Sequence, residues 1–435
     1  MRHLPFRVAT CSPVRAHAAS KWSFGSFAGR RRHLSSRKPE GDDQPLRILF
    51  CGTDQFSVAS LQALEKYSRT PESNILSIDV VTKTDKRVGR GRKLVRPPAI
   101  KPAAQDLGLR VHQIDTFTGW SPPAFGDAGS PSCCNLVVAV SFGLLIPPRI
   151  LRSAAYGGLN VHPSLLPDLR GPAPIQWALI TGRRRTGVSL QTLHPTRFDE
   201  GIVLDQTPPP GLDIPRPDEI TAEELTAYLA PIGAKMLVDA VRNRLYVPPY
   251  RAVQFSSVPG VDLTHAPKVT NELCAVDFEA LPKSAILRRN RALQSLHGFV
   301  RFGPDPSQVL RINFGADIRD VKDGDIPEEV RGAAEAMPNG IPYAIVPTHE
   351  NVNESSKPLI INARLDKYHE GRQVVIPLIT VSSRAKGPGA GAAARAKFFS
   401  EPEVFGRFKL YRFSHPISGL PEPPFVEIHG NTIRT

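Results

Sequence analysis

The stretch GGLNVHPSLLPDLRGPAPIQ, residues 157–176, decides how the chain reads. An apolar run from Leu136 to Val140 precedes it and reads as a buried strand. The quoted stretch opens with a second short strand that ends at Asn160 and His162. It then turns through prolines and enters a helix near Ile175. Residues two apart on a strand share a face, so an amide and an imidazole emerge side by side at a strand end. In open α/β sheets that edge is where ligands bind.

Working outward, Leu46–Cys51 reads as a strand. The turn Gly52-Thr53-Asp54 leads into a helix with Phe56, Leu61 and Leu64 at helical spacing. The turn lacks Gly-x-Gly-x-x-Gly, which argues against a dinucleotide site. A strand at Ile78–Thr82 runs into Lys83, Lys86, Arg87, Arg90, Arg92, Lys93 and Arg96, opposed only by Asp85. Gly89 and Gly91 keep that segment flexible, and it has too little apolar surface to join a core. It reads as a solvated loop suited to neutralising phosphates. Ala99–Leu107 reads as a helix, Leu109–Gln113 as a strand, and Gly119–Ser132 as a loop. Gly187–Leu193 alternates as a strand. Ile220–Asn243 has a helical pattern with Thr221 as its cap and Glu223 and Glu224 in its first turn. The alternation of strands and helices from Leu46 to Gln206 predicts the α/β class with a Rossmann-like, mainly parallel sheet.

Beyond Tyr246 a Pro-rich linker is expected, then a helical basic segment, Ser284–Leu296, carrying Arg288, Arg289 and Arg291. Strand-like runs follow at Val309–Phe314, Leu359–Leu365, Val374–Val381 and Phe405–Phe413, which suits a small β-barrel. Gly315–Ser356 is poorly patterned, and Gly387–Ala394 reads as a low-complexity loop.

The chain has 435 residues and a formal net charge of +14. Residues 1–39 hold seven Arg and two Lys with no acid, so +14 − 9 leaves +5 for the remainder. Such a leader, rich in Arg, Ser and Ala, reads as a mitochondrial transit peptide over residues 1–40, with Arg31–Ser36 as its processing region and the matrix as destination. No apolar run is long enough for a secretory signal or a membrane span. The five cysteines lack Cys-x-x-Cys spacing, which fits reduced thiols and no structural metal.

Asn160-x-His162, Ser164-Leu165-Leu166-Pro167 and Arg170-Gly171-Pro172-Ala173-Pro174-Ile175-Gln176 together resemble the signature of the 10-formyltetrahydrofolate-dependent formyltransferases. Within that group the Arg-Gly-x-Ala-Pro-x-Gln extension is most similar to the methionyl-tRNA formyltransferases, and the leader suggests their mitochondrial type. Arg197–Leu204 resembles the family's Asp-x-Gly loop. The resemblance implies a Rossmann-like formyltransferase domain at 45–245, a linker at 246–265 and an OB-like β-barrel at 266–435 that binds tRNA. It implies a monomer, free of metal and membrane, that moves a formyl group from 10-formyltetrahydrofolate to the α-amine of initiator methionyl-tRNA, supporting the start of mitochondrial translation.

By the same resemblance, Asn160, His162 and Asp199 are catalytic. Ser164, Leu165, Leu166 and Pro167, with Phe142, Gly143 and Leu144, wall the folate. Arg87, Arg90, Arg92 and Lys93, with Arg90 foremost, and Arg288 and Arg289 contact the tRNA. The chemistry is coherent: an amide and an imidazolium would donate to the oxygen that gains charge. A carboxylate beside the imidazole favours its charged form. One departure is Pro163, where many bacterial relatives have a small residue; its fixed φ suits the turn.

Two rival readings remain. A formyltransferase acting on glycinamide ribonucleotide or an amino-sugar nucleotide would share Asn-x-His and the Asp, but not the basic loop joined to such a C-terminal half. A non-catalytic RNA-binding protein would suit the loop and barrel, but leaves the intact Asn160, His162 and Asp199 unexplained.

Overall fold

The computed structural model describes residues 44–122, 134–253, 263–301, 309–365, 371–381 and 386–419. The expected leader, most of the 119–132 loop and part of the linker lie outside the described residues.

The first half is built on a seven-stranded sheet. Its elements are β1 (Leu46–Gly52), α1 (Gln55–Ser68), β2 (Ile75–Thr82), β3 (Lys86–Val88), β4 (Leu94–Arg96), α2 (Ile100–Asp106), β5 (Arg110–Gln113), β6 (Leu136–Val140), α3 (Pro148–Ser153), β7 (Gly158–His162), α4 (Pro174–Ile180), β8 (Arg185–Thr186), β9 (Ser189–Thr192), β10 (Val203–Gln206) and, after a short strand at Leu212–Asp213, α5 (Ala222–Arg242). The strand order is β10-β9-β7-β6-β1-β2-β5. From β5 to β7 the strands are parallel, while β9 runs antiparallel to both β7 and β10.

Burial explains the run of apolar residues in the central strands. Along β1, Leu46, Ile48 and Phe50 join a core under α1 and α5, with Phe56, Leu61, Leu64, Leu225 and Leu237. Leu49 and Cys51 face the opposite core, with Val81, Val137, Phe142 and Ile150. A strand covered on both faces carries no polar stripe, as parallel sheets require. The helix ends also follow the sequence. Asp54 caps α1 by accepting from Ser57 N–H at 3.1 Å. Thr221 and Glu224 form a capping box on α5. Going out from β1, β2 lies on one side and β6 on the other, so the strand order reverses there. That reversal opens a crevice at the carboxyl ends of β1, β6 and β7.

Several expectations are corrected. The basic segment is not a plain loop: β3 and β4 pair as an antiparallel hairpin, turned by a short 3-10 helix at Arg90–Arg92. Tyr246, expected to open the linker, is fully buried and stacks edge-on against Tyr156 at 5.0 Å. Its ring extends the first core past the end of α5.

The second half opens with α6 (Lys283–Leu293) and consists mainly of antiparallel strands in a five-stranded and a six-stranded sheet. The expected strand Val374–Val381 is two strands, Gln373–Ile376 and Leu378–Val381, one in each sheet. Pro377 separates them, because it cannot donate to a ladder. The poorly patterned 315–356 holds a helix at Glu328–Ala336 and a buried strand at Pro342–Pro347. The run read as a low-complexity loop is helical over Gly389–Arg395: its alanines are strong helix formers and pack into the core.

Candidate active site

β7 delivers Asn160 and His162 to the crevice, which has a volume of about 520 Å³. Thr53 and Asp54 follow β1, Ser141 to Leu144 follow β6, and Asp199 enters from the loop between β9 and β10; all line the cleft. The three residues expected to be catalytic are therefore brought together.

The geometry is tight. His162 is 5% exposed, and its Nε2 lies 3.0 Å from the Leu169 carbonyl. A carbonyl only accepts, so Nε2 carries a hydrogen. The other ring nitrogen, Nδ1, lies 3.4 Å from Asp199 Oδ1. Asp199 Oδ2 accepts from Gly171 N–H at 3.0 Å. Asn160 donates through Nδ2 to the Ala139 carbonyl at 3.0 Å, which leaves its second amide hydrogen for the cleft. Asp199, Leu169 and Ser141 all have left-handed backbone, with φ of 53°, 56° and 49°. Such conformations in non-glycine residues cost about 1–3 kcal/mol each and gather at functional sites.

The loop that supports His162 and Asp199 is held from a distance. Leu169 N–H donates to the Thr264 carbonyl and Ala266 N–H to the Arg170 carbonyl, each at 2.7 Å. Asp168 accepts from Thr264 N–H at 2.8 Å and pairs with Arg183 at 3.1 Å. A Cβ on Gly171, at φ 127°, would stand 2.4 Å from the Ala266 carbonyl oxygen, so only glycine fits beneath this strap. The Leu169 peptide thus has its N–H held by the strap while its carbonyl holds the imidazole.

Of the expected folate wall, Phe142, Gly143 and Leu144 line the cleft. Ser164, Leu165, Leu166 and Pro167 are not among the residues lining it. Ser164 is buried and donates to the Asp168 carbonyl at 2.7 Å. Leu166 N–H donates to Ser189 Oγ at 3.0 Å, and Leu165 fits against Gly187 and Gly211. This turn is therefore tied to the sheet and shapes the loop.

Of the expected tRNA contacts, Arg87, Arg92 and Lys93 are exposed on the hairpin, and the Arg90 side chain lies outside the described residues. Arg288 and Arg289 are half-buried instead. Arg288 Nε donates to the Ile180 carbonyl at 3.2 Å, and Arg289 donates to the Ala275 carbonyl at 3.4 Å. Burial lowers the pKa of Arg289. The periodicity of α6 turns these arginines inward, a fate their charge alone does not reveal.

Sequence reasoning also missed cleft residues. Lys83 and Lys268 line it, and burial, then Lys86 and Lys268, lower the pKa of Lys83. Burial likewise raises the pKa of Asp54. Gln191, 2% exposed, is a long amide inside β9, directly opposite Asn160. Among the described residues, no cluster of three His, Cys, Asp or Glu could hold a metal ion, and no helix is long and apolar enough to cross a membrane.

The sheet and the residues lining its crevice define a class. Residues 46–241 match the formyl transferase family. Relatives carry the comparison further. The chain is 34% identical to a protein of Saccharomyces cerevisiae named methionyl-tRNA formyltransferase, mitochondrial, over 59% of this chain and 70% of that one. It is 32% identical to its namesake in Mus musculus, over 61% and 65%. It is 36% identical to the methionyl-tRNA formyltransferase of Halorhodospira halophila, over 61% and 78%. The chain belongs to the methionyl-tRNA formyltransferase family. The shared part spans just under two thirds of the length of the mouse protein.

Proposed function

We propose that this protein transfers the formyl group of 10-formyltetrahydrofolate to the α-amine of initiator methionyl-tRNA in the mitochondrial matrix. The observation that carries the reading is the convergence of Asn160, His162 and Asp199 beside an apolar wall at the switch point of the sheet. A cleft of about 520 Å³ is of the size that holds a drug-sized molecule, and a flat heterocycle suits Phe142, Gly143 and Leu144.

The residues divide the work. As the neutral amine adds to the formyl carbon, the formyl oxygen gains negative charge. The free amide hydrogen of Asn160 and a proton on His162 Nδ1 are the donors for that charge. Because the Leu169 carbonyl fixes a hydrogen on Nε2, the proton that comes and goes is the one on Nδ1. Asp199 accepts the proton that the amine must lose; as the tetrahedral intermediate collapses the C–N10 bond breaks, N10 takes up a proton and tetrahydrofolate leaves.

The hairpin supports the polynucleotide half of the substrate. Among the described residues, Lys86, Arg87, Arg92, Lys93 and Arg96 make no ion pair, and they stand on a short exposed ribbon. We assign the catalytic role to residues 45–245 and tRNA binding to the hairpin together with the domain at 266–435, acting as one chain. Residues 1–40 serve as the import signal; their fusion to a reporter should send it to mitochondria.

Formylation assays test the proposal. With 10-formyltetrahydrofolate as donor, charged initiator tRNA should be formylated. Glycinamide ribonucleotide and amino-sugar nucleotides should not. Failure with charged tRNA alongside turnover of a small amine, or no turnover at all, would overturn it.

A further inference from the structure

The three proposed catalytic side chains do not hold their own orientations. Gln191 stands directly opposite Asn160 in the β7–β9 register, on the same face of the sheet. Its Nε2 donates to Asn160 Oδ1 at 3.0 Å and to Asp199 Oδ1 at 3.2 Å. Its Oε1 accepts from Gly201 N–H at 3.1 Å. Every polar atom of this amide except one lone pair is thus committed.

We propose that Gln191 is the positioning residue of the site, which sets the orientation of the Asn160 amide and holds the Asp199 carboxylate in place. The argument is one of donors and acceptors. Asn160 Oδ1 and Asp199 Oδ1 can only accept, so the NH₂ end of Gln191 must face them. A flip would set its oxygen against two acceptors and its NH₂ against a backbone donor. Gly201 N–H forbids that flip. With Oδ1 of Asn160 occupied, its Nδ2 faces Ala139 and the cleft, which is the orientation that donates to a developing oxyanion.

The Asp-x-Gly loop acquires a physical reading from this. A Cβ on Gly201 would lie 1.7 Å from the Thr192 carbonyl oxygen. Only glycine lets the backbone come close enough to β9 to deliver its N–H to Gln191. Gly201, Gln191 and Asn160 therefore form one chain of hydrogen bonds, with Asp199 as a branch. That branch lands on the same carboxylate oxygen that faces His162.

The inference rests on the assignment of Asn160, His162 and Asp199 as catalytic. It is tested with full-length Q191M and Q191E in formylation of charged tRNA. Q191M keeps the length of the side chain and removes all three contacts. Its kcat should fall about 10- to 100-fold, by loss of part of one oriented donor. The KM for the folate donor should stay within about twofold. Q191E sets an acceptor where the Gln191 amide donates to Asn160 and Asp199, so its kcat should fall at least as far. In an N160A background under single-turnover conditions, Q191M should cost less than it does alone, because the two act as a unit. Unchanged kcat in folded Q191M would overturn the inference. Equal cost in both backgrounds would do the same, showing a merely structural residue. If N160A itself leaves turnover intact, it is the catalytic assignment that fails instead.

Discussion

The cleft at the end of β7 and the β3–β4 hairpin are both polar, and they treat their polar groups in opposite ways. In the cleft, His162, Asp199, Asn160 and Gln191 fix one another, and each is anchored to backbone. On the hairpin, the described cations have no ion-pair partner and stand in solvent. The difference follows from what each must meet. Charge that develops on one atom needs donors already aimed at it, since reorganising them would add to the barrier. A phosphate backbone needs only charge in the right region, and mobile cations supply it.

The comparison can be broken at its rigid end. H162A should reduce turnover by about 10²–10³-fold, as loss of an aimed donor does elsewhere. It should also lower the melting temperature, because the Leu169 carbonyl loses its buried donor. Single-turnover kinetics beside a thermal melt give both numbers; near-wild-type turnover would remove His162 from the chemistry.

At the open end, Arg92→Ala with Lys93→Ala should weaken tRNA binding and leave folate binding alone. Each lost phosphate contact should reduce the slope of log K against log salt by about one. A salt titration of tRNA affinity checks this. An unchanged slope would leave the hairpin as a solvated face.

Arg288→Ala sharpens the contrast, since this arginine has the same chemistry as those of the hairpin but a fixed partner. Loss of its bond to the Ile180 carbonyl should cost about 1 kcal/mol of stability, with the salt slope of tRNA binding unchanged. Denaturant melts and the same titration separate the two outcomes.

The smallest effect concerns His297, buried in the second half with no hydrogen-bond partner on either ring nitrogen among the described residues. Burial, then Arg311, lowers its pKa, while Glu272 opposes them. The unfolded chain therefore takes up a proton near pH 6.5 before the folded one does. Stability from this group is complete above that pH, declines as the pH falls below it and levels off once the folded histidine protonates. His297→Leu should remove that part of the decline in urea melts between pH 5 and about 8.

The sequence carried the first half better than the second. Leu136–Val140 could only be a strand buried on both faces, and the parity of Asn160 and His162 placed both on one side. Thr221 and Glu224 announced the start of α5. These are local signals. Ser164–Pro167 reads as a folate wall by resemblance; nothing local reveals that Ser189 and Asp168 also fasten it. Gln191 went unread because its partners lie on β7 and on the loop after β9. In the second half, Pro377 divides one apparent strand between two sheets, and Pro342–Pro347 hides inside a stretch without alternation. Antiparallel partners so far apart in the chain leave little trace in any short window.

The strap has a consequence for the order in which the molecule becomes an enzyme. Asp168 and Thr264 are 96 positions apart, yet their contact secures the loop that carries the support for His162. A chain emerging from a ribosome, or threading into a compartment from its amino end, can complete the parallel sheet while the site is still unfinished. The loop that backs the imidazole is fully held only with Thr264 and Ala266 in place, and closing so long a stretch of chain carries an entropy that must be met. A truncated product that stops at the end of α5 would lack Thr264 and Ala266, and with them the backbone that holds the loop behind His162.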